Sequence, residues 1–192
     1  MNKKINIAST IILCAGRGKR MRYKTKFIAK PLVKIKKKSI LEFNLNYISY
    51  VGIKKCVINN SYKFKTVERF ISNYSYKNKN PVIFSSKERI RLETGGGIKN
   101  ALHLLEKNIL AINGDSLLIQ SRGFCAITKL YECFNSKNMD ILLLLAPIKH
   151  SIGYQDKGDF VMASKKYLSK IERKSKYKNQ EGLVFTGWQI IK

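Results

Sequence analysis

Apolar residues in this chain fall into two kinds of block. Residues 5–14 form a nearly continuous apolar run of strand length, ending in a glycine-rich turn. Shorter runs recur at 55–59, 82–85, 109–113 and 141–146, and each predicts a strand. Residues 31–35 read as a further short extended piece. Between these runs the apolar positions recur every three or four residues, the period of a helix. Phe64, Val67, Phe70, Ile71 and Tyr74 make one such stripe. Gly95-Gly96-Gly97 leads into another, with Ile98, Ala101, Leu102 and Leu105. A third helix is expected over 123–134. Ser39-Ile40-Leu41-Glu42 has the form of a capping box, in which the serine accepts from the amide three residues on and the glutamate reaches back. It opens a helix through Tyr50, closed by Gly52.

Strands alternating with helices predict an α/β protein, a three-layer Rossmann-like fold with a mostly parallel central sheet. The strands are unbroken apolar runs, as parallel strands covered on both faces should be. After Pro147 the pattern changes: 159–163 and 183–191 read as strands, separated by the basic, polar stretch 165–180. No repeat, linker or second domain interrupts the chain, so residues 1–192 read as one domain.

Composition narrows the class. Hydrophobic residues make up 44% and aromatics 10%, which excludes wholesale disorder. No apolar run approaches the roughly 20 residues of a membrane span. Lys3 and Lys4 ahead of 5–14 mimic a leader peptide. Leu13 before Cys14 is too large for a lipoprotein cleavage site, and Gly16-Arg17-Gly18-Lys19-Arg20 is a poor exit. The run therefore reads as a buried first strand in a cytoplasmic protein. The four cysteines form no CxxC pair; Cys14 and Cys56 sit in apolar runs and are expected as core thiols. His103 and His150 lie far from any cysteine pair, so no zinc site is expected.

With 38 Lys and Arg against 12 Asp and Glu, the formal charge is +26, which first suggests a nucleic-acid partner. Lysines outnumber arginines 30 to 8, and arginine is the residue suited to bidentate reading of bases and phosphates. The lysines accompany 24 Ile, 15 Asn and only 8 Ala, as an AT-biased coding sequence would give. Most of the charge is therefore read as solvated surface, and neither a nucleic acid nor a membrane is expected as a partner.

In such folds the working residues sit at the carboxyl ends of strands, and three segments fall there. Cys14-Ala15-Gly16-Arg17-Gly18-Lys19-Arg20-Met21 offers backbone amides and cations to an anion. It is neither a dinucleotide fingerprint, since Met21 stands where the third glycine belongs, nor a P-loop; alone it reads equally well as a basic turn. In Ala29-Lys30-Pro31-Leu32 the proline biases Lys30 towards extended backbone, with its charge near the phosphate loop; alone it reads as readily as one more surface lysine. In Asn113-Gly114-Asp115 the aspartate, one of only four, is placed to ligate Mg²⁺ or merely to make a turn. Glu93-Thr94-Gly95-Gly96-Gly97 precedes a helix, and its glycines suggest close approach of a ligand or a flexible loop.

The ordered set LCAGRGKRM, AKPL, LETGGGIKNAL and NGD resembles the sugar-1-phosphate nucleotidyltransferase family. The likeness extends through Gly153-Tyr154 and Gly158-Asp159-Phe160 to Phe185-Thr186-Gly187. LETGGG and GDF look most like the branch that uridylylates N-acetylmuramic acid 1-phosphate in cell-wall recycling; mannose-1-phosphate guanylyltransferases and glucose-1-phosphate thymidylyltransferases are near relatives. The resemblance implies transfer of a nucleotidyl group from an NTP to a sugar 1-phosphate, with Mg²⁺. Ala15, Gly16, Arg17 and Gly18 would cradle the nucleotide, with Arg20 on the triphosphate and Lys30 at the reacting phosphate. Glu93, Thr94, Gly95 and Gly96 would line the nucleoside and sugar pocket, and Asn113 would contact the nucleotide sugar. Asp115 matches the first metal-binding carboxylate; Gly158 and Asp159 match the sugar side. Cys14 departs from the family's usual alanine, and Tyr23-Lys24 from its usual Pro-Leu. The family carries a further segment after the FTG strand, with a second metal-binding aspartate, whereas this sequence stops at Lys192. Either the sequence is a fragment or the protein is shortened, and a shortened one reads as a catalytically impaired nucleotide- or sugar-phosphate-binding remnant. The base, the sugar and the oligomeric state are not legible at this level.

Overall fold

The computed structural model describes residues 7, 9–164, 170–177 and 180–192, and only the backbone at Lys19 and Arg20. In chain order the strands are β1 (Thr10–Leu13), β2 (Lys34–Ile35), β3 (Lys38–Ser39), β4 (Lys55–Asn60), β5 (Val82–Lys87), β6 (Ile109–Asn113), β7 (Ile141–Pro147), β8 (Phe160–Met162), β9 (Ile171–Arg173) and β10 (Leu183–Ile191). The helices are α1 (Ile40–Tyr50), α2 (Phe64–Lys77), α3 (Thr94–Ala101) and α4 (Ala126–Cys133).

The main sheet runs β5-β4-β1-β6-β10-β8-β9, with β7 also paired to β10. The four strands β5, β4, β1 and β6 are parallel. Antiparallel pairing begins at β10, which meets β6, β7 and β8, and β9 follows on β8. Strand periodicity sorts the parallel strands' residues onto two faces. Ile12, Cys56, Ile58, Leu110 and Ile112 pack with residues of α1, α2 and α4. Ile11, Val57 and Ala111 pack on the opposite face with Ile98 and Ala101 of α3. This is the expected three-layer α/β arrangement, and it aims the carboxyl ends of β1, β4 and β6 at one edge.

Local sequence explains α1 well. Ser39 Oγ accepts from the Glu42 amide at 3.1 Å, which satisfies one of the amides a helix start leaves unpaired. Ile40, Leu41, Leu45 and Ile48 form its buried stripe, and Gly52 turns the chain away at φ 88°. Other elements differ from the sequence reading. The three glycines do not precede α3; they form its first turn, with the Gly97 amide bonded to the Glu93 carbonyl at 2.8 Å. α3 stops at Ala101, where the chain tightens into a 3-10 turn over Leu102–Leu104. α4 starts at Ala126 rather than Gly123, because Gly123 adopts φ 82° and Gln120 Oε1 accepts from the Ala126 amide at 2.6 Å. The apolar run at β7 is antiparallel to β10 and mostly half-buried, not a doubly covered parallel strand. β9, inside the basic 165–180 stretch, has no apolar alternation to reveal it; residues 165–169 and 178–179 of that stretch lie outside the described residues. Among the described residues, no helix is long and apolar enough to cross a membrane.

Candidate active site

Three of the sequence motifs meet at one glycine. The Gly114 amide donates to the Leu13 carbonyl at 3.0 Å, tying the turn after β6 to the end of β1. A Cβ on Gly114 would lie 2.7 Å from Leu13 O, 2.8 Å from Cys14 Sγ and 3.1 Å from Pro31 Cγ. The ends of β1 and β6 and the Lys30–Leu32 segment are thus pressed together where only a hydrogen fits. Gly18, at φ 63°, plays a similar part: its missing Cβ would stand 3.0 Å from Lys30 Cβ and 3.0 Å from Thr25 Cγ2. Thr25 Oγ1 donates to the Gly18 carbonyl at 3.1 Å.

This packing aims Lys30 Nζ at Asp115 Oδ2, with which it forms an ion pair. The two side chains remain 24% and 35% exposed, so both stay open to an incoming ligand. The backbone differs from the expectation at Lys30. Lys30 opens a 3-10 turn, and the extended residue is Ala29, one position earlier. The buried Pro31 ring, held against Gly114, overrides the local bias of the residue before proline. Cys14 and Cys56 are buried, as expected. Burial pushes both thiols up, and nearby Cys56 and Asp115 add to the effect at Cys14, so neither is an activated nucleophile.

The second glycine-rich turn lies at the start of α3. Glu93 is its N-terminal flanking residue, extended at φ −76°, and its carboxylate meets Arg91 at 3.3 Å on the surface. Thr94 and Gly95 are exposed. The glycines are not equivalent. Gly95 faces open space, Gly96 touches Leu92, and Gly97 is closed against Asn59 and Glu88. Close approach of a ligand is therefore possible at Gly95, whereas Gly97 is small for packing reasons. Gly16, in the first turn, is likewise open. Asn113, at the end of β6, abuts Gly187 of β10: a Cβ there would fall 2.8 Å from Asn113 Cβ and 2.6 Å from Ser116 Oγ. The FTG strand thereby joins the same edge.

A cavity of about 370 Å³ opens beside the first turn, lined by Arg17, Arg22, Tyr23, Thr25, Lys26 and Tyr62. Among the described residues three cations and no acid face it, which suits an anion. Ala15 is buried and Arg17 exposed. The Arg20 side chain lies outside the described residues. Arg22 and Lys26 were not singled out from the sequence, because they are two among many basic residues there. Asn59 and Glu88, which support both turns, carried no motif signal at all. Gly158 and Asp159 sit where β8 meets β10. Gly158, at φ 99°, packs on the backbone of Gly182. Asp159 Oδ1 accepts from the Tyr154 hydroxyl at 3.0 Å, and Oδ2 from the Phe185 amide at 2.8 Å. Burial and then the bond to Asp159 push the Tyr154 phenol up to about 12.

The nucleotidyl transferase family model matches residues 9–154, which span the glycine turn, Lys30, the α3 turn and Asp115. The chain belongs to the nucleotidyl transferase family. This nucleotidyl transferase is 34% identical over 156 residues to N-acetylmuramate alpha-1-phosphate uridylyltransferase of Caulobacter vibrioides, a match covering 80% of this chain. It is 32% identical over 140 residues to D-glycero-alpha-D-manno-heptose 1-phosphate guanylyltransferase of Aneurinibacillus thermoaerophilus, covering 72% of this chain. The matches span 64% and 57% of those relatives' own lengths. Among solved structures, the fold is shared with HddC from Yersinia pseudotuberculosis complexed with GMP-PN, at TM-score 0.69 and 24% identity over 96% of this chain and 76% of that one. It is shared also with UDP-glucose pyrophosphorylase complexed with UDP-glucose, at TM-score 0.73 and 16% identity over the same shares.

Proposed function

We propose that this nucleotidyl transferase moves a nucleotidyl group from an NTP to a sugar 1-phosphate and releases pyrophosphate. UTP and N-acetylmuramic acid 1-phosphate are the favoured pair. The observation that carries this reading is the Lys30–Asp115 ion pair beneath an open, basic glycine turn. The uridylyltransferase relative at 34% identity supports the choice of base and sugar.

The chemistry asks little covalent work of the protein. An oxygen of the sugar 1-phosphate attacks the α-phosphorus, a new P–O bond forms, and the bond to the bridging oxygen breaks to give pyrophosphate. The nucleophile is already ionised, so alignment and neutralisation of charge dominate. Amides of the 15–18 turn, with Arg17, Arg22 and Lys26 around the adjoining cavity, would hold the triphosphate. Lys30 would leave Asp115 for the reacting phosphate. Arg20 is proposed on the triphosphate, with Glu93, Thr94, Gly95 and Gly96 along the nucleoside and Asn113 at the nucleotide sugar. Gly158 and Asp159 are assigned to the sugar side, where the Asp159 carboxylate would act by shaping the β8–β10 junction it already bridges.

The residues fit Mg²⁺. Among the described residues no group of three or more His, Cys, Asp or Glu forms a cage, but Mg²⁺ beside a triphosphate takes only one or two carboxylates plus phosphate oxygens. Asp115, partly exposed at the end of β6, would supply the carboxylate. When bound, the ion would neutralise charge on the phosphates. The test is pyrophosphate release from a panel of four NTPs against N-acetylmuramic acid 1-phosphate and hexose and heptose 1-phosphates. UTP with the muramic acid substrate should lead. GTP with a heptose phosphate leading would replace the substrate pair, and no release from any pair would overturn the reaction.

A further inference from the structure

Glu88 is a buried acid that the reaction above does not use. It directly follows β5 and is 4% exposed. Its Oε1 accepts from Asn59 Nδ2 at 2.7 Å, and its Oε2 accepts from the Leu92 amide at 2.9 Å. Asn59, 2% exposed on β4, turns its Oδ1 to the Cys14 amide, which donates to it at 2.7 Å and to the Asn59 main-chain carbonyl at 3.1 Å. A carboxylate has only acceptors to offer, whereas a carboxamide has an acceptor and donors. The relay therefore has one polarity: Leu92 and Asn59 donate to Glu88, and Cys14 donates to Asn59. Gly97 closes over it, since a Cβ there would fall 2.5 Å from Asn59 Nδ2 and 2.8 Å from Glu88 Oε1.

The two ends of this relay are informative. Cys14 opens the 14–18 turn, and Leu92 immediately precedes the 93–96 turn. These turns belong to different strand–helix units, and their backbones are joined through two side chains. We infer that Glu88 and Asn59 are a positioning pair that sets the spacing between the two turns on which the NTP is held. The inference rests on the reading of those turns as nucleotide-binding. Neither residue meets the reacting atoms; both act through the backbone at Cys14 and Leu92. A fully satisfied buried network holds one geometry, and a mismatch within it costs more than the loss of a surface contact.

The polarity makes the test specific. In Glu88→Gln the new amide nitrogen must face either Asn59 Nδ2 or the Leu92 amide, donor against donor. In Asn59→Asp two carboxylates meet. In the double variant Glu88→Gln/Asn59→Asp every bond can re-form: the new glutamine donates to the new aspartate, Leu92 donates to the glutamine oxygen, and Cys14 donates to the aspartate. Each single variant should raise the KM for the NTP by about 10-fold, the effect of one unpaired buried group. The KM for the sugar 1-phosphate should stay put, and the double variant should return the NTP KM to the parent's. Amide hydrogen exchange at Leu92, whose amide is held by Glu88, should quicken in the single variants and recover in the double.

An unchanged NTP KM in folded Glu88→Gln, or a double variant no better than the singles, overturns the pair. Should a single variant fail to fold, recovery of folding together with the parental NTP KM in the double variant supports it, and a misfolded double variant overturns it. A parent protein with no NTP turnover overturns the transferase reading instead. The pair is then decided by exchange alone: unchanged protection of the Leu92 amide in Glu88→Gln overturns it, and loss with recovery in the double variant supports it.

Discussion

Gly114→Ala places one methyl group where three motifs meet, and its consequence can be worked from distances. The new carbon would stand 2.7 Å from the Leu13 carbonyl oxygen, 2.8 Å from Cys14 Sγ and 3.1 Å from Pro31 Cγ. The nearest of these is backbone in the central strand and cannot swing aside. Ordinary contact begins near 3.4 Å, so the 113–115 turn must retreat by about 0.7 Å. That weakens the Gly114 amide's 3.0 Å bond to Leu13 and overpacks the site, at a cost of about 1–3 kcal/mol. The same displacement carries Asp115 away from Lys30. Misplacement approaching 1 Å at a reacting centre costs up to about 10²-fold in rate. Urea unfolding followed by fluorescence of Trp188, the single and fully buried tryptophan, reads the first effect. Pyrophosphate release reads the second. Gly16→Ala is the comparison, because beyond its chain neighbours no atom of the described residues lies within 4 Å of its added Cβ. Its stability should change by no more than about 0.5 kcal/mol, while the KM for the NTP rises if the methyl meets the phosphate proposed to bind there. Equal behaviour of the two variants, or Gly114→Ala with parental stability and turnover, would refute the convergence of motifs at Gly114.

Other outcomes follow from single contacts. Lys30→Ala should lower turnover by about 10²–10³-fold with little loss of stability, because its ion pair is partly exposed; unchanged pyrophosphate release would remove Lys30 from the reacting centre. Ser39→Ala deletes the cap of α1 and should cost about 1 kcal/mol in denaturant unfolding without altering turnover; an unmoved midpoint would contradict the cap. Burial and then the bond to Asp159 push the Tyr154 phenol from its ordinary 10.0 up to about 12, so its contribution is fully present below pH 10 and is lost as pH rises towards about 12. Against Tyr154→Phe the parent should therefore lose Tm more steeply across that window, and parallel Tm curves would contradict the raised Tyr154 phenol.

Hydrophobic pattern alone made much of the fold legible, because burial on a sheet or a helix imposes a period that neighbouring residues must obey. The strands at 55–59 and 109–113 and the capped helix after Ser39 are local in this sense. The glycine turn, Lys30 and Asp115 were also legible, since each occupies a strand end or a fixed distance from one. What the pattern could not carry was partnership. Glu88 and Asn59 look like ordinary polar residues in the chain, and only the parallel pairing of β4 with β1 and β5 brings their side chains onto Cys14 and Leu92. The three glycines of 95–97 read alike, yet one faces space and one a buried carboxylate. β7 has the apolar run of a covered parallel strand and pairs antiparallel with β10, a choice made by sheet order and not by residue type.

The sequence by itself determined where strands end and which charged groups stand there, because those follow from periodicity and spacing along the backbone. Tertiary structure decided which of them meet. Residues 30 and 115 are joined by the close approach of Gly114 to β1 and Pro31, a contact between segments far apart in the chain. Such contacts depend on how layers pack in three dimensions, and no local preference encodes them.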